Sequence, residues 1–135
     1  MIVTLVDANV LLDVATGDRE WLGWSSQALE TAGDESALAV NALIYAEVSV
    51  AFASIEALED ALPADIYRRE PLPYEAAFLA GKAFLRYRRR GGAKVSPLPD
   101  FYIGAHAAVA GFRLLTRDAK RYRTYFPTVK LIAPH

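Results

Sequence analysis

The sequence predicts an α/β protein, a three-layer α/β/α sandwich built around a parallel sheet. Three observations carry this reading. Short aliphatic or β-branched runs alternate with longer helical stretches along the chain, the pattern of β-α-β crossovers. The first run, Ile2-Val3-Thr4-Leu5-Val6, is nearly continuous rather than alternating, as in a strand covered on both faces. The chain has 135 residues, 53% of them apolar, and a domain of that size buries roughly 70% of the surface its unfolded chain exposes.

The elements follow in order. Residues 2–6 form a strand that ends at Asp7, and 9–14 read as the start of a helix. Residues 19–32 form a second helix, with Trp21, Trp24 and Leu29 near helical spacing and Gly33 closing it. A second strand covers 36–40. Residues 41–53 are a very apolar helix, extended or followed by another to about residue 62, with Pro63 as the boundary. A third strand over 66–69 lies before Pro71 and Pro73. Residues 74–90 form a long helix, with Ala77, Phe78, Ala80 and Leu85 among its apolar positions, ended by Gly91 and Gly92. Residues 93–99 hold two prolines and form a loop, 100–110 are helical up to Gly111, and 113–116 form the fourth strand. A brief helix begins near Asp118, and 129–133 form the fifth strand. No repeat, linker or low-complexity tract interrupts this, so one domain over 1–135 is expected.

Composition removes several function classes. The net charge of −1 and the apolar content exclude disorder. No apolar run reaches the roughly 18 residues needed to cross a bilayer. The opening residues carry no basic leader and meet Asp7 at once, so neither a secretory signal nor a membrane association is expected, and a cytoplasmic location is. The absence of cysteine removes disulfides, zinc ribbons, iron–sulfur sites and thiol nucleophiles. The small net charge hides an asymmetry: residues 1–60 carry eleven acids and one base, whereas 61–135 carry fourteen bases and five acids. Such a split fits a polyanionic or metal partner, or complementary faces within one fold.

Four carboxylates stand in informative places. Asp7 lies just past a buried strand, where open α/β sheets build their sites, and is equally suited to cap the following helix. Glu47 sits within a stretch that is apolar on nearly every helical face, so it needs a partner, either an arginine or a metal ion. Asp100 opens a helix after Pro99, and Asp118 opens another after the fourth strand; either alone is also a favourable charge at a helix start. In a parallel sheet such positions converge on one edge, so Asp7, Asp100 and Asp118 can share a cleft that Glu47 joins from its helix. Crowded carboxylates repel unless a cation compensates them, and oxygen-only ligation selects Mg2+ or Mn2+.

Around these acids, Asn9 is placed to bond a carboxylate or a bound water, or simply to cap. Thr116 is placed to orient Asp118, Asp13 reads as a solvated helix residue, and His106 as a satisfied helix histidine rather than a ligand. The run Arg86-Tyr87-Arg88-Arg89-Arg90 with Lys94, and the later group Lys120, Arg121, Arg123 and Lys130, provide cations for a nucleic-acid backbone. Cations at a helix C-terminus also suit its dipole, so the first run has a purely local explanation as well.

Four segments, in order, resemble the acidic motifs of the PIN-domain family, and within it the VapC-type toxins of type II toxin–antitoxin systems. They are Leu5-Val6-Asp7-Ala8-Asn9-Val10-Leu11-Leu12-Asp13, Asn41-Ala42-Leu43-Ile44-Tyr45-Ala46-Glu47, Pro99-Asp100-Phe101-Tyr102-Ile103-Gly104-Ala105-His106-Ala107 and Leu114-Leu115-Thr116-Arg117-Asp118. The resemblance implies a five-stranded parallel sheet and a Mg2+- or Mn2+-dependent endoribonuclease. Carried over position by position, it makes Asp7, Glu47, Asp100 and Asp118 the acidic quartet, with Asp7 and Asp100 as metal ligands. It also implies a homodimer and a VapB-like antitoxin that blocks the cleft. Two other classes share parts of this pattern. A haloacid-dehalogenase-like phosphatase wants a second Asp two positions after the first, where Asn9 stands. A non-catalytic binding module on the same fold has no need of the four acids.

Overall fold

The computed structural model describes residues 1–95 and 97–135; Ser96, in the proline-bearing loop, lies outside them. Among the described residues the chain forms β1 (Val3–Val6), α1 (Ala8–Thr16), α2 (Leu22–Glu35), β2 (Ala37–Val40), α3 (Ala42–Ser49), α4 (Ile55–Ala61), β3 (Tyr67–Arg69), α5 (Tyr74–Arg89), α6 (Pro99–Ala110), β4 (Arg113–Leu115), α7 (Lys120–Tyr125) and β5 (Leu131–Ile132). All strand pairs are parallel, in the order β3-β2-β1-β4-β5. All four residues of β1 are buried although alternate side chains face opposite ways, so both faces of the central strand are covered.

Thr4 is the one polar residue of that strand. Its hydroxyl lies 2.7 Å from the Ser36 hydroxyl and accepts from Arg113 Nε at 3.0 Å, which satisfies it without water. The core is one cluster in which Leu5, Val6, Val40, Ile44, Phe101, Leu114 and Leu115 are fully buried. His106 is buried and satisfied, as expected: Asn41 Nδ2 donates to His106 Nδ1 at 3.0 Å while Asn41 Oδ1 accepts from the Ile44 amide, so one side chain caps α3 and holds the ring. An accepting Nδ1 means a neutral imidazole, and burial lowers the pKa in the same direction.

Several boundaries differ from the sequence expectation, each for a local reason. Helix α2 runs through Gly33 to Glu35 because that glycine keeps helical geometry, and the chain leaves the helix only at the extended Ser36. The apolar stretch 41–53 divides: α3 stops at Ser49, and Ser54 caps a separate α4 by accepting from the Ala57 amide at 3.1 Å. Helix α6 starts at Pro99, whose missing N–H costs nothing in a first turn. Helix α7 starts at Lys120, leaving Asp118 in the preceding loop rather than at a helix start. No helix among the described residues is long and apolar enough to cross a membrane.

Candidate active site

From β1 the chain steps outward through β2 and β3, then returns to place β4 on the opposite side of β1. The crevice of an open parallel sheet lies at the carboxyl ends of the strands where this reversal occurs. Asp7 follows β1 and Thr116 follows β4, so both stand at that point. The structure brings Asp7, Glu47, Asp100 and Asp118 together in one cleft of about 440 Å3, with Leu12 and Val50 as apolar lining. A larger groove of about 900 Å3, between Tyr45, Ile55, Glu59 and Arg69, shares no lining residue with it.

Asp7 is both helix cap and cleft residue. Its Oδ1 accepts from the Ala8 amide at 2.8 Å, and its Oδ2 accepts from the hydroxyls of Thr116 at 2.9 Å and Tyr122 at 2.8 Å. Burial raises its pKa, and the Tyr122 hydrogen bond is the strongest opposing influence. Asp100 sits in the first turn of α6; its Oδ2 meets Arg121 Nη1 at 3.3 Å and its Oδ1 lies 3.3 Å from the Tyr122 hydroxyl. Burial raises this carboxyl too, with the Arg121 charge pulling against it. Glu47 has no arginine partner: its Oε1 is buried without a hydrogen bond, and burial, then the charges of Asp7 and Asp100, push its pKa up to about 7. Asp118 is exposed at the mouth of the cleft.

Three supporting residues act differently from the sequence expectation. Thr116 gives its hydroxyl proton to Asp7 rather than to the Asp118 carboxylate, and accepts from the Asp118 amide at 3.2 Å. Asn9 bonds no carboxylate: its Nδ2 donates to Thr116 Oγ1 at 3.3 Å and its Oδ1 accepts from the Arg117 amide at 3.1 Å, which ties α1 to the loop after β4. Asp13 is not solvated. It is 2% exposed, held by both Arg117 Nε at 2.8 Å and Nη2 at 2.9 Å, and by the Ser25 hydroxyl at 2.7 Å. Asn9 and Asp13 stand four apart on α1, hence on one helical face, and together grip residues 116 and 117.

Tyr122, beside these acids, is the residue that the sequence reading missed. It is 1% exposed, and its hydroxyl reaches two of the four carboxylates. The signal was present: α7 is basic at Lys120, Arg121 and Arg123, so the large apolar ring among them must face inward, toward the sheet end.

The basic residues divide. Arg121 leans over the rings of Tyr87 and Phe101 while pairing with Asp100. With Lys120, Tyr87 and Tyr125 it lines a groove of about 370 Å3 that shares Asp100 and Asp118 with the acidic cleft. Arg86 donates to the Tyr125 carbonyl at 3.0 Å, Arg88 donates to the Lys94 carbonyl at 2.7 Å, and Arg90 lies over the Tyr125 ring; all three remain exposed, as do Arg89 and Lys94.

The donor set suits a hard divalent cation. Every candidate ligand is a carboxylate oxygen, one of them is an unpartnered buried oxygen of Glu47, and three of the four acids have pKa values raised first by burial and then by one another's charge. Among the described residues no group of three or more acidic or imidazole side chains stands ready to hold a metal ion. An open site is what Mg2+ takes, since it keeps several waters and uses one or two carboxylates.

Comparison with known proteins agrees with this fold. The family model of the PIN domain matches residues 4–127. No curated protein matches the chain. Solved structures with the same fold include VapBC2 from Rickettsia felis bound to a promoter DNA fragment, with TM-score 0.75 and 14% identity over 99% of this chain and 100% of that one. VapBC-1 from nontypeable Haemophilus influenzae gives TM-score 0.73 and 14% identity over 98% of both chains. A toxin–antitoxin complex from Klebsiella pneumoniae gives TM-score 0.71 and 24% identity, again over 98% of both.

Proposed function

Since the chain belongs to the PIN-domain family, we propose that it is a Mg2+- or Mn2+-dependent endoribonuclease, the VapC-type toxin of a toxin–antitoxin pair. The observation that carries this reading is the convergence of Asp7, Glu47, Asp100 and Asp118 on one cleft, beside a groove that carries Lys120 and Arg121. Asp7 and Asp100 would hold the cation. When bound, it supplies polarisation of the scissile phosphodiester and compensation of charge on the attacking and leaving oxygens. Glu47, with a pKa near 7, is suited to take a proton from the attacking water. Lys120 and Arg121 would hold the backbone of a single strand leading into the cleft, and Arg86, Arg88, Arg89, Arg90 and Lys94 would extend that path.

The test is cleavage of single-stranded RNA by the purified chain with Mn2+, its arrest by chelator, and its loss in Asp7→Asn. The amide keeps the volume of Asp7 and removes its charge, so the variant should stay folded and inactive. Full metal-dependent activity in Asp7→Asn would overturn the four-acid site. Chelator-sensitive hydrolysis of a phosphomonoester with RNA left intact would favour a phosphatase instead, and RNA binding without cleavage a non-catalytic module. The VapBC assemblies among the structural neighbours support a VapB-like antitoxin as partner; a homodimer is proposed on the family resemblance alone. Coexpression with the product of a small neighbouring reading frame checks the partner: copurification together with suppressed cleavage is expected.

A further inference from the structure

Tyr122 is not required by the chemistry above, yet it is buried and its hydroxyl meets two of the cleft's carboxylates. A carboxylate offers about four lone-pair sites, two on each oxygen. At Asp7, Oδ2 accepts two hydroxyl protons, from Thr116 at 2.9 Å and from Tyr122 at 2.8 Å, and Oδ1 accepts the Ala8 amide at 2.8 Å. One site is left, on Oδ1. Thr116 has other neighbours, but the carboxylate is its nearest acceptor, and it takes the Asn9 and Asp118 N–H groups on its own lone pairs. Tyr122 has one proton and two carboxylates within reach. The 2.8 Å approach to Asp7 has the length of a true O–H···O bond, whereas 3.3 Å to Asp100 is long for one. Asp100 Oδ1 therefore stays free while its carboxyl is held beside Asp7.

We propose that Tyr122, with Thr116, is a positioning residue that restricts Asp7 to a single ligating oxygen and thereby selects a small octahedral cation, Mg2+ or Mn2+, over Ca2+. This rests on the metal-dependent reading above. The selectivity follows from ligand habits. Ca2+ takes six to eight oxygens and readily accepts both oxygens of one carboxylate, whereas Mg2+ uses one or two carboxylates and retains its waters. A carboxylate whose second oxygen already holds two hydroxyl protons cannot turn to offer both.

Calorimetric titration of the full chain with Mn2+ and, separately, with Ca2+ tests the proposal without reference to cleavage. Wild-type protein should prefer Mn2+. Tyr122→Phe keeps the buried ring and frees one site on Asp7 Oδ2. It should weaken Mn2+ binding about tenfold or more, as removing a partner behind a metal ligand commonly does, while Ca2+ binding falls less or rises, so that the preference for Mn2+ shrinks. Should Tyr122→Phe fail to fold, Thr116→Val removes the other hydroxyl from the same oxygen with little change of shape. Thr116→Ser, which keeps that hydroxyl, should retain the wild-type preference. A folded Tyr122→Phe or Thr116→Val with an unchanged ratio of the two affinities overturns the proposal while leaving the metal site standing. Wild-type protein that binds neither ion overturns the metal reading and this inference with it.

Discussion

Glu47 shows how one buried atom sets the electrostatics of a cleft. Its Oε1 has no hydrogen-bond donor, and the two nearby acids add their own repulsion. The ordinary glutamate value of 4.5 rises to about 7 in the folded protein. Between those two values the folded chain holds a proton that the unfolded chain has released, so stability falls as pH rises through that window. Asp7 and Asp100 are shifted in the same direction and add to the slope. The metal-free protein should therefore melt at progressively lower temperature from about pH 4.5 to about pH 7, and Glu47→Gln should make that decline shallower. Melting curves of both proteins across this range, with chelator present, make the comparison; parallel curves would show that Glu47 is not desolvated in solution. The same contrast explains why Glu47 was legible in the sequence and Tyr122 was not. A carboxylate in an apolar helix announces itself by violating a pattern, whereas a tyrosine facing a core obeys one. Asp13 was misread for the opposite reason: its partner Arg117 lies 104 positions away, and only the pairing of β1 with β4 brings them together.

At the level of elements, the order and kind of the helices and strands were readable, with α4 left open as a separate helix, because apolar runs and glycine or proline punctuation set them locally. What was not readable were the joints. The division of 41–53 depends on Ser54 finding the Ala57 amide, and the late start of α7 depends on Thr116 and Asn9 holding the loop that carries Asp118. That loop has a definite anchor in the Asp13–Arg117 pair, with Arg117 also lying over the Trp21 ring. Asp13 is buried while Arg117 is about one-third exposed. Arg117→Ala should therefore cost more than the roughly 1 kcal/mol of an exposed pair and no more than the roughly 3–5 kcal/mol of a fully buried one. Chemical denaturation gives that number, and amide exchange at residues 116–119 should accelerate more than in the β1 core. A second joint is the crossing of α6 with the chain after α7. A Cβ built on Gly104 would run into the Phe126 ring, which is itself buried. Gly104→Ala should destabilise by about 1–3 kcal/mol through overpacking, and a melting temperature equal to wild type would mean that this packing yields freely.

Over the whole molecule, the division into an acidic first half and a basic second half has two physical uses. Part of it is internal complementarity: Arg113 pairs with Glu35 and Arg117 with Asp13, each joining the second half to the first. Of the remainder, Lys120 and Arg121 stand beside the acidic cleft, and the end of α5 carries the densest run of cations. Arg86, Arg88 and Arg90 have intramolecular partners, but these are two carbonyls and a ring rather than carboxylates, so their charge is not neutralised. If these residues and Arg89 track RNA, replacing all four by alanine should weaken binding and flatten its salt dependence. The slope of log K against log salt should change by about 0.7 for each phosphate of a single strand that an arginine ceases to neutralise. The inactive background matters. Asp100→Asn would release Arg121 and add a cation to the groove, whereas Glu47→Gln leaves that ion pair intact and removes an acid that touches no base. Binding of a short single-stranded RNA in the Glu47→Gln background, over a salt series, separates the two roles of the run. A flatter slope with Mn2+ affinity retained assigns it to RNA. An unchanged slope with a lower melting temperature assigns it to closing α5 against the Tyr125 carbonyl and ring, and removes these arginines from the substrate path.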